Sequence, residues 1–185
     1  MRLCLGFLLG LTVIAVQAAG VKREVDPRTG IERVEMTHPG FYLRLVPLTR
    51  DYVVAAFLGR GLPKAVAEAT RGYCTFGATL RNTGDEPVRV RLTDWRFVTP
   101  DGRVHRPKTK SQWIREWAEQ GVPFKWLLVH EDHSFQPGDW MQGFITVPLP
   151  PGARFDLHYR WIQGGQAHEG VIEDMRCAPE RIEAE

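Results

Sequence analysis

The sequence predicts a mainly β protein: an antiparallel β-sandwich with a short helical segment before it and a Trp-rich helix inserted in a long loop. Three observations predict this. From Cys74 onward, short runs alternate apolar and polar residues, as in Val88-Arg89-Val90-Arg91-Leu92. Gly/Pro turn signals separate the runs: Pro100-Asp101-Gly102, Pro137-Gly138 and Pro150-Pro151-Gly152. Two stretches break the alternation with capped, helix-spaced patterns. Short strands at regular spacing with such turns are the signature of two packed antiparallel sheets.

The chain of 185 residues opens with Arg2, an uncharged apolar run from Leu3 to Val16, and small residues at Ala18 and Ala19. The run falls short of the roughly 20 residues that span a bilayer, so it reads as a secretory leader, residues 1–18, cut after Ala18 or Ala19. Cys4 leaves with it. No later stretch is long enough to span a membrane, and the protein is expected to be periplasmic or secreted. Lys and Arg number 24 against 22 Asp and Glu. A near-neutral balance gives no electrostatic case for nucleic acid or an anionic membrane surface.

After the leader, residues 19–40 are polar and turn-rich, an N-terminal arm or a short hairpin around Pro27–Gly30. Residues 41–72 read as a strand, "FYLRLVPL", and two short helices near 51–60 and 63–71. Thr49 or Asp51 caps the first helix, whose apolar stripe is Val54, Phe57 and Leu58, and Pro63 opens the second. The sandwich is placed at 73–178 and a tail at 179–185. Within it, Val88, Val90 and Leu92 alternate inward before the phase slips to Trp95 and Phe97, which calls for a β-bulge near Thr93-Asp94. Thr109 with Gln112 predicts a capping box for a helix at 111–120, stopped by Gly121 and Pro123, with Trp113 and Trp117 on one face. The runs "FKWLLVHEDHSF", "WMQGFITVPL", "ARFDLHYRWI" and "HEGVIEDMRC" each read as strands. In the second, Gly143 marks a bulge or a close backbone approach.

Export leaves two cysteines, Cys74 and Cys177, and an oxidising compartment predicts one disulfide between them. Local pattern agrees: Cys74 shares a strand face with Phe76, Ala78 and Leu80, and Cys177 shares one with Val171 and Met175.

Residues Ala78 to Trp161 carry Asn82-Thr83, Asp101-Gly102, Pro137-Gly138, Gly143 and Val147-Pro148 in sequence. In this they resemble the telokin-like immunoglobulin-fold domains of exported bacterial proteins, over about half the mature chain. The resemblance implies an immunoglobulin-like sandwich and a role as an adaptor or binding module. The helical piece before it, the Trp-rich helix and the missing lipid-anchor cysteine depart from the family's simple form.

Candidate chemistry is sparse. His130 and His133 in "VHEDHSF" offer two imidazoles beside two carboxylates and form the candidate metal site; His38, His105, His158 or His168 are the candidates to complete it. The spacing misses the zinc-protease pattern by one residue, and a charged turn is the preferred reading. Trp113, Trp117 and Trp126 are candidate binding residues, an aromatic platform for a sugar, a peptide or an envelope partner; docking of the helix on the sandwich is preferred for the first two. Asp156, His158 and Arg160 share the outer face of one strand. Ser111 and Ser134 are the only serines, and neither sits in a nucleophile motif. No enzyme is expected and no cofactor is assigned. The expected function is an exported binding or adaptor module acting through protein contacts, with metal binding and carbohydrate or envelope binding as the alternatives.

Overall fold

In the computed structural model the described residues are 20–182; the expected leader and its cleavage point lie outside them. In chain order the elements are β1 (Gly20–Val25), β2 (Glu32–His38), β3 (Phe41–Leu48), α1 (Arg50–Leu58), α2 (Lys64–Glu68), β4 (Cys74–Asn82), β5 (Val88–Arg91), β6 (Arg96–Val98), β7 (Val104–His105), α3 (Lys110–Glu119), β8 (Asp132–Phe135), β9 (Trp140–Val147), β10 (Arg154–Gln163) and β11 (Gln166–Arg176). They form two antiparallel sheets packed face to face. The first has the order β1-β2-β3-β4-β9. In the second, β10 is central: β11 lies along one side, and β6 and β5 share the other, extended by β7 and β8. None of the helices among the described residues is long and apolar enough to cross a membrane.

The alternation read from sequence places the core. Phe41, Leu43, Leu45, Phe76, Ala78 and Leu80 of the first sheet meet Val88, Val90, Phe97, Phe155, Leu157 and Tyr159 of the second, all buried. The Cys74–Cys177 bridge is formed, with Cα atoms 5.6 Å apart, and joins β4 to the segment just after β11. Asn82, the only asparagine in the chain, is completely buried. Its side-chain amide donates to the Glu86 and Phe135 carbonyls at 2.9 and 3.0 Å, and its oxygen accepts from the Gly84 amide at 3.0 Å. One side chain thus ties the β4–β5 turn to β8, with both donors and its oxygen partnered, as a buried amide requires.

Residues 20–38 form a hairpin rather than a loose arm, with Asp26 to Gly30 turning between β1 and β2. An Arg23 guanidinium reaches from β1 to the Glu173 carbonyl of β11, closing one side of the sandwich.

Several sequence expectations need correction. The phase slip before Trp95 is made by a 3-10 turn, Leu92–Asp94, rather than a β-bulge. Residues 124–130 are not a strand: Leu127 takes a positive φ of 69°, which breaks an extended run. The segment lies on the edge of β9, where Leu127 and Val129 each bond to Phe144, and it sends Leu128 and Val129 into different cores. Gly143 permits this approach, since a Cβ there would sit 2.9 Å from the Leu127 carbonyl oxygen. On β11 it is Ile172, not Val171, that faces inward with Met175 and Cys177. A bulge opposite Phe155–Leu157, with Asp174 at φ 48°, shifts the phase by one residue. In α1 the buried face is Val53, Val54 and Phe57, while Leu58 is left 40% exposed.

Candidate functional site

The outer face of the first sheet is divided in two. At one end it is covered by a helical layer. α1, capped by Thr49, contributes Phe57; α2 contributes Val66 and Ala67; α3 contributes Trp113 and Trp117. The capping box of Thr109 and Gln112 is present and fixes where α3 begins. Trp113 and Trp117 stack at 5.3 Å, and Trp117 meets Phe57 and Phe124 edge-on. The Trp113 indole donates to the Thr146 hydroxyl of β9 at 2.8 Å, and the Lys108 ammonium lies 3.6 Å from the centre of the Trp113 ring. Both indoles are at most 1% exposed. They are therefore not a surface platform; they dock α3 on the sheet, because a helix buries its apolar stripe wherever a complementary face is available.

The other end of the same face is open. Strand registry builds it row by row. Thr37 of β2 stands opposite Tyr42 of β3, Tyr42 opposite Arg81 of β4, and Arg81 opposite Trp140 of β9. The next row towards the helices is Glu35, Arg44, Thr79 and Gln142. Alternation along each strand forces these side chains outward, since their neighbours Leu43, Leu80 and Phe41 are in the core. The result is a shallow depression of about 590 Å³ lined by Tyr42, Arg44, Thr79, Arg81 and Trp140. Trp140 is 63% exposed. With strands about 4.8 Å apart, Tyr42 and Trp140 stand about 10 Å from each other with Arg81 between them.

Two arginines face this patch, and one carboxylate, Glu35, stands opposite Arg44. Arg44 donates to the Thr79 hydroxyl at 3.2 Å, and neither Arg44 nor Arg81 pairs with a carboxylate among the described residues. Glu35, at the border, is held by Arg33 at 3.2 Å. Partial burial, and then the Glu35 carboxylate, push the Tyr42 phenol above its usual range, so it remains a neutral donor. Exposed aromatic and guanidinium groups are the types enriched in protein-binding surfaces.

The sequence-derived candidates fall elsewhere. His130 and His133 are close, with ring centroids 5.8 Å apart, but no third ligand joins them: the described residues contain no group of three His, Cys, Asp or Glu placed to share a metal ion. His130 instead contacts the Lys110 ammonium at 3.1 Å. Desolvation, then the charge of Lys110, lowers its pKa and favours the neutral imidazole. His133 lies on β8 against Phe135. Trp126 is 65% exposed on the loop after α3, apart from the two buried indoles of the helix. Asp156 accepts from the Asp174 amide at 2.9 Å and so serves the β11 bulge.

Sequence reading missed the Tyr42–Arg81–Trp140 row. Each member is visible as an outward position in its own strand. Their association depends on pairing between strands separated by the helices and by the whole β5–β8 region, and no local pattern carries that register. A second cluster was also missed. His38 at the end of β2 contacts the buried Tyr159 hydroxyl at 2.5 Å and lies 4.3 Å from the Trp161 ring, which stacks on His168. It joins the two sheets at the end from which β2 turns into β3.

No family model and no curated protein matches this chain. Among solved structures, it is similar to a putative lipoprotein (ycdA) from Bacillus subtilis subsp. subtilis str. 168, with TM-score 0.41 and 9% identity over 76% of this chain and 38% of that one. It is also similar to the yjhA protein from Bacillus subtilis, with TM-score 0.33 and 10% identity over 74% of this chain and 76% of that one. The chain thus spans well under half the length of the ycdA protein. At these TM-scores neither likeness bears on what the chain does.

Proposed function

We propose that the chain is an exported, non-catalytic binding or adaptor module of the bacterial envelope that docks a protein partner on the open half of its first sheet. The observation that carries the reading is the uncovered Tyr42–Arg81–Trp140 row, beside a half-face that the protein has sealed with its own helices. A tryptophan left 63% exposed beside a tyrosine and two arginines is the residue mix enriched in protein-binding surfaces, and the arginines, without a carboxylate partner among the described residues, supply a polar anchor. Export is supported by the leader-like start of the sequence and by the Cys74–Cys177 bridge, which belongs to oxidising compartments. An immunoglobulin-like, telokin-type sandwich is the finer reading of the fold, supported by Asn82-Thr83, Asp101-Gly102 and Pro137-Gly138, each of which lies at a turn between strands.

The test is photo-crosslinking in cells from Gln142, an exposed position beside the row, with exposed Ser134 of β8 on the other sheet as the comparison site. A discrete adduct from Gln142 that disappears in Trp140→Ala supports the reading. No adduct from Gln142, or the same adduct from Ser134, defeats it.

A further inference from the structure

We propose that the partner segment on this face is acidic and extended, placing two carboxylates two residues apart on Arg44 and Arg81; this rests on the binding role argued above. The chemistry of the lining points to it. The depression offers two guanidinium forks, hydroxyls and aromatic faces; the carboxylate beside it, Glu35 opposite Arg44, is already held by Arg33. A neutral sugar would leave both guanidinium charges without a counter-charge. A carboxylate needs donors alone, and a planar guanidinium matches it in two parallel bonds.

Spacing selects the extended segment. Tyr42 is directly opposite Arg81, and Arg44 lies two residues further along the same face of β3. The two arginines are therefore diagonal neighbours, about 7–8 Å apart at their backbones. In an extended peptide, side chains on one face recur about every 7 Å. Asp or Glu at alternate positions thus meets both forks in register. The Thr79 hydroxyl already holds Arg44 at 3.2 Å, so part of the ordering cost is met before binding.

The flanking aromatics fit the same picture. At about 10 Å apart, Tyr42 and Trp140 cannot sandwich one sugar ring, but they can cover the ends of a segment lying across Arg81. The edge of β9 is bridged only further along, at Phe144 and Thr146, by residues 127–129 and Lys108, and at the open end the recognition is carried by the side chains.

The experiment titrates the exported, disulfide-bonded protein with a synthetic peptide of alternating Glu and Thr, read by NMR at the Trp140 indole and the Arg81 side chain. Shifts at both groups are expected. Affinity should fall about tenfold or more in the double variant Arg44→Gln/Arg81→Gln and should weaken with added salt. A Lys-Thr peptide should cause no shift. The proposal is overturned if the Glu-Thr peptide causes no shift, if the Lys-Thr peptide binds equally, or if the double variant binds as well as the parent. A polyuronate that shifts these signals where the peptide does not reassigns the face to an acidic glycan. The Gln142 crosslink separates the two levels. An adduct that survives Arg44→Gln/Arg81→Gln keeps the docking face and removes its acidic partner, whereas absence of any adduct removes the docking face itself.

Discussion

Two halves of one sheet face, built on the same three strands, have opposite fates. Towards the helices, the outward positions include Leu48, Phe144, Thr75 and Thr146; the helical layer packs on Leu48 and Phe144, both threonines are buried, and Thr146 accepts from the Trp113 indole. Towards the other end they are Tyr42, Arg44, Arg81 and Trp140, aromatic or cationic, and they stay open. Backbone and pleat are shared, so the difference lies only in what the outward side chains ask for. Apolar groups gain by being covered from within the chain. A guanidinium between two rings gains little from self-burial and much from a partner that brings carboxylates. Tryptophan occurs on both halves, buried at 113 and 117 and exposed at 140, and its residue type alone does not say which.

The sharpest way to break that contrast is to truncate an indole on each side. Trp117→Ala should cost about 3–5 kcal/mol of unfolding free energy in a denaturant titration, because the ring is fully buried. Trp140→Ala should stay within about 0.5 kcal/mol of the parent. Equal costs would show that the open half is structural too. Breaking the Cys74–Cys177 bridge by Cys→Ser substitution should cost about 2–4 kcal/mol. The bridge lies inside the sandwich, so the loss should lower the whole transition in one step; a helical layer melting separately would show that the two halves are not one cooperative unit. Asn82→Ala should cost about 1–3 kcal/mol, since it leaves buried main-chain groups of the β4–β5 turn and β8 without partners. A near-neutral result would mean that this end of the face is not held by the turn.

The smallest effect is a pH dependence. Desolvation, and then the nearby His168, lower the pKa of His38 below 6.5. The unfolded chain therefore binds more protons than the folded one below about pH 6.5. Stability should be at its plateau above that value and fall as the pH drops towards the folded-state pKa. Unfolding midpoints at pH 7.5 and 5.5 should differ less in His38→Gln than in the parent. An identical pH slope in both would remove His38 from the account.

Much of the architecture is legible because alternation, caps and turns are local. Thr109 with Gln112 announces α3, and Trp113 and Trp117 at i, i+4 already imply a buried stripe. Cys74 and Cys177 each sit in an inward phase. What is not legible depends on non-local events. The positive φ at Leu127 makes an apolar run irregular, because the chain must cross Gly143 on its way between two cores. The bulge at Asp174 exchanges Val171 for Ile172. The open row is hidden for a related reason: Tyr42, Arg81 and Trp140 come from three strands distant in sequence, and only the sheet's register makes them neighbours.

The central claim is that the open half serves a partner and not the fold. It is tested most directly by one double variant, Arg81→Gln/Trp140→Ala, measured for unfolding free energy and for the in-cell crosslink from Gln142. The account predicts stability within about 1 kcal/mol of the parent and loss of the crosslink. A retained crosslink, or a loss of stability comparable with that of Trp117→Ala, would contradict it.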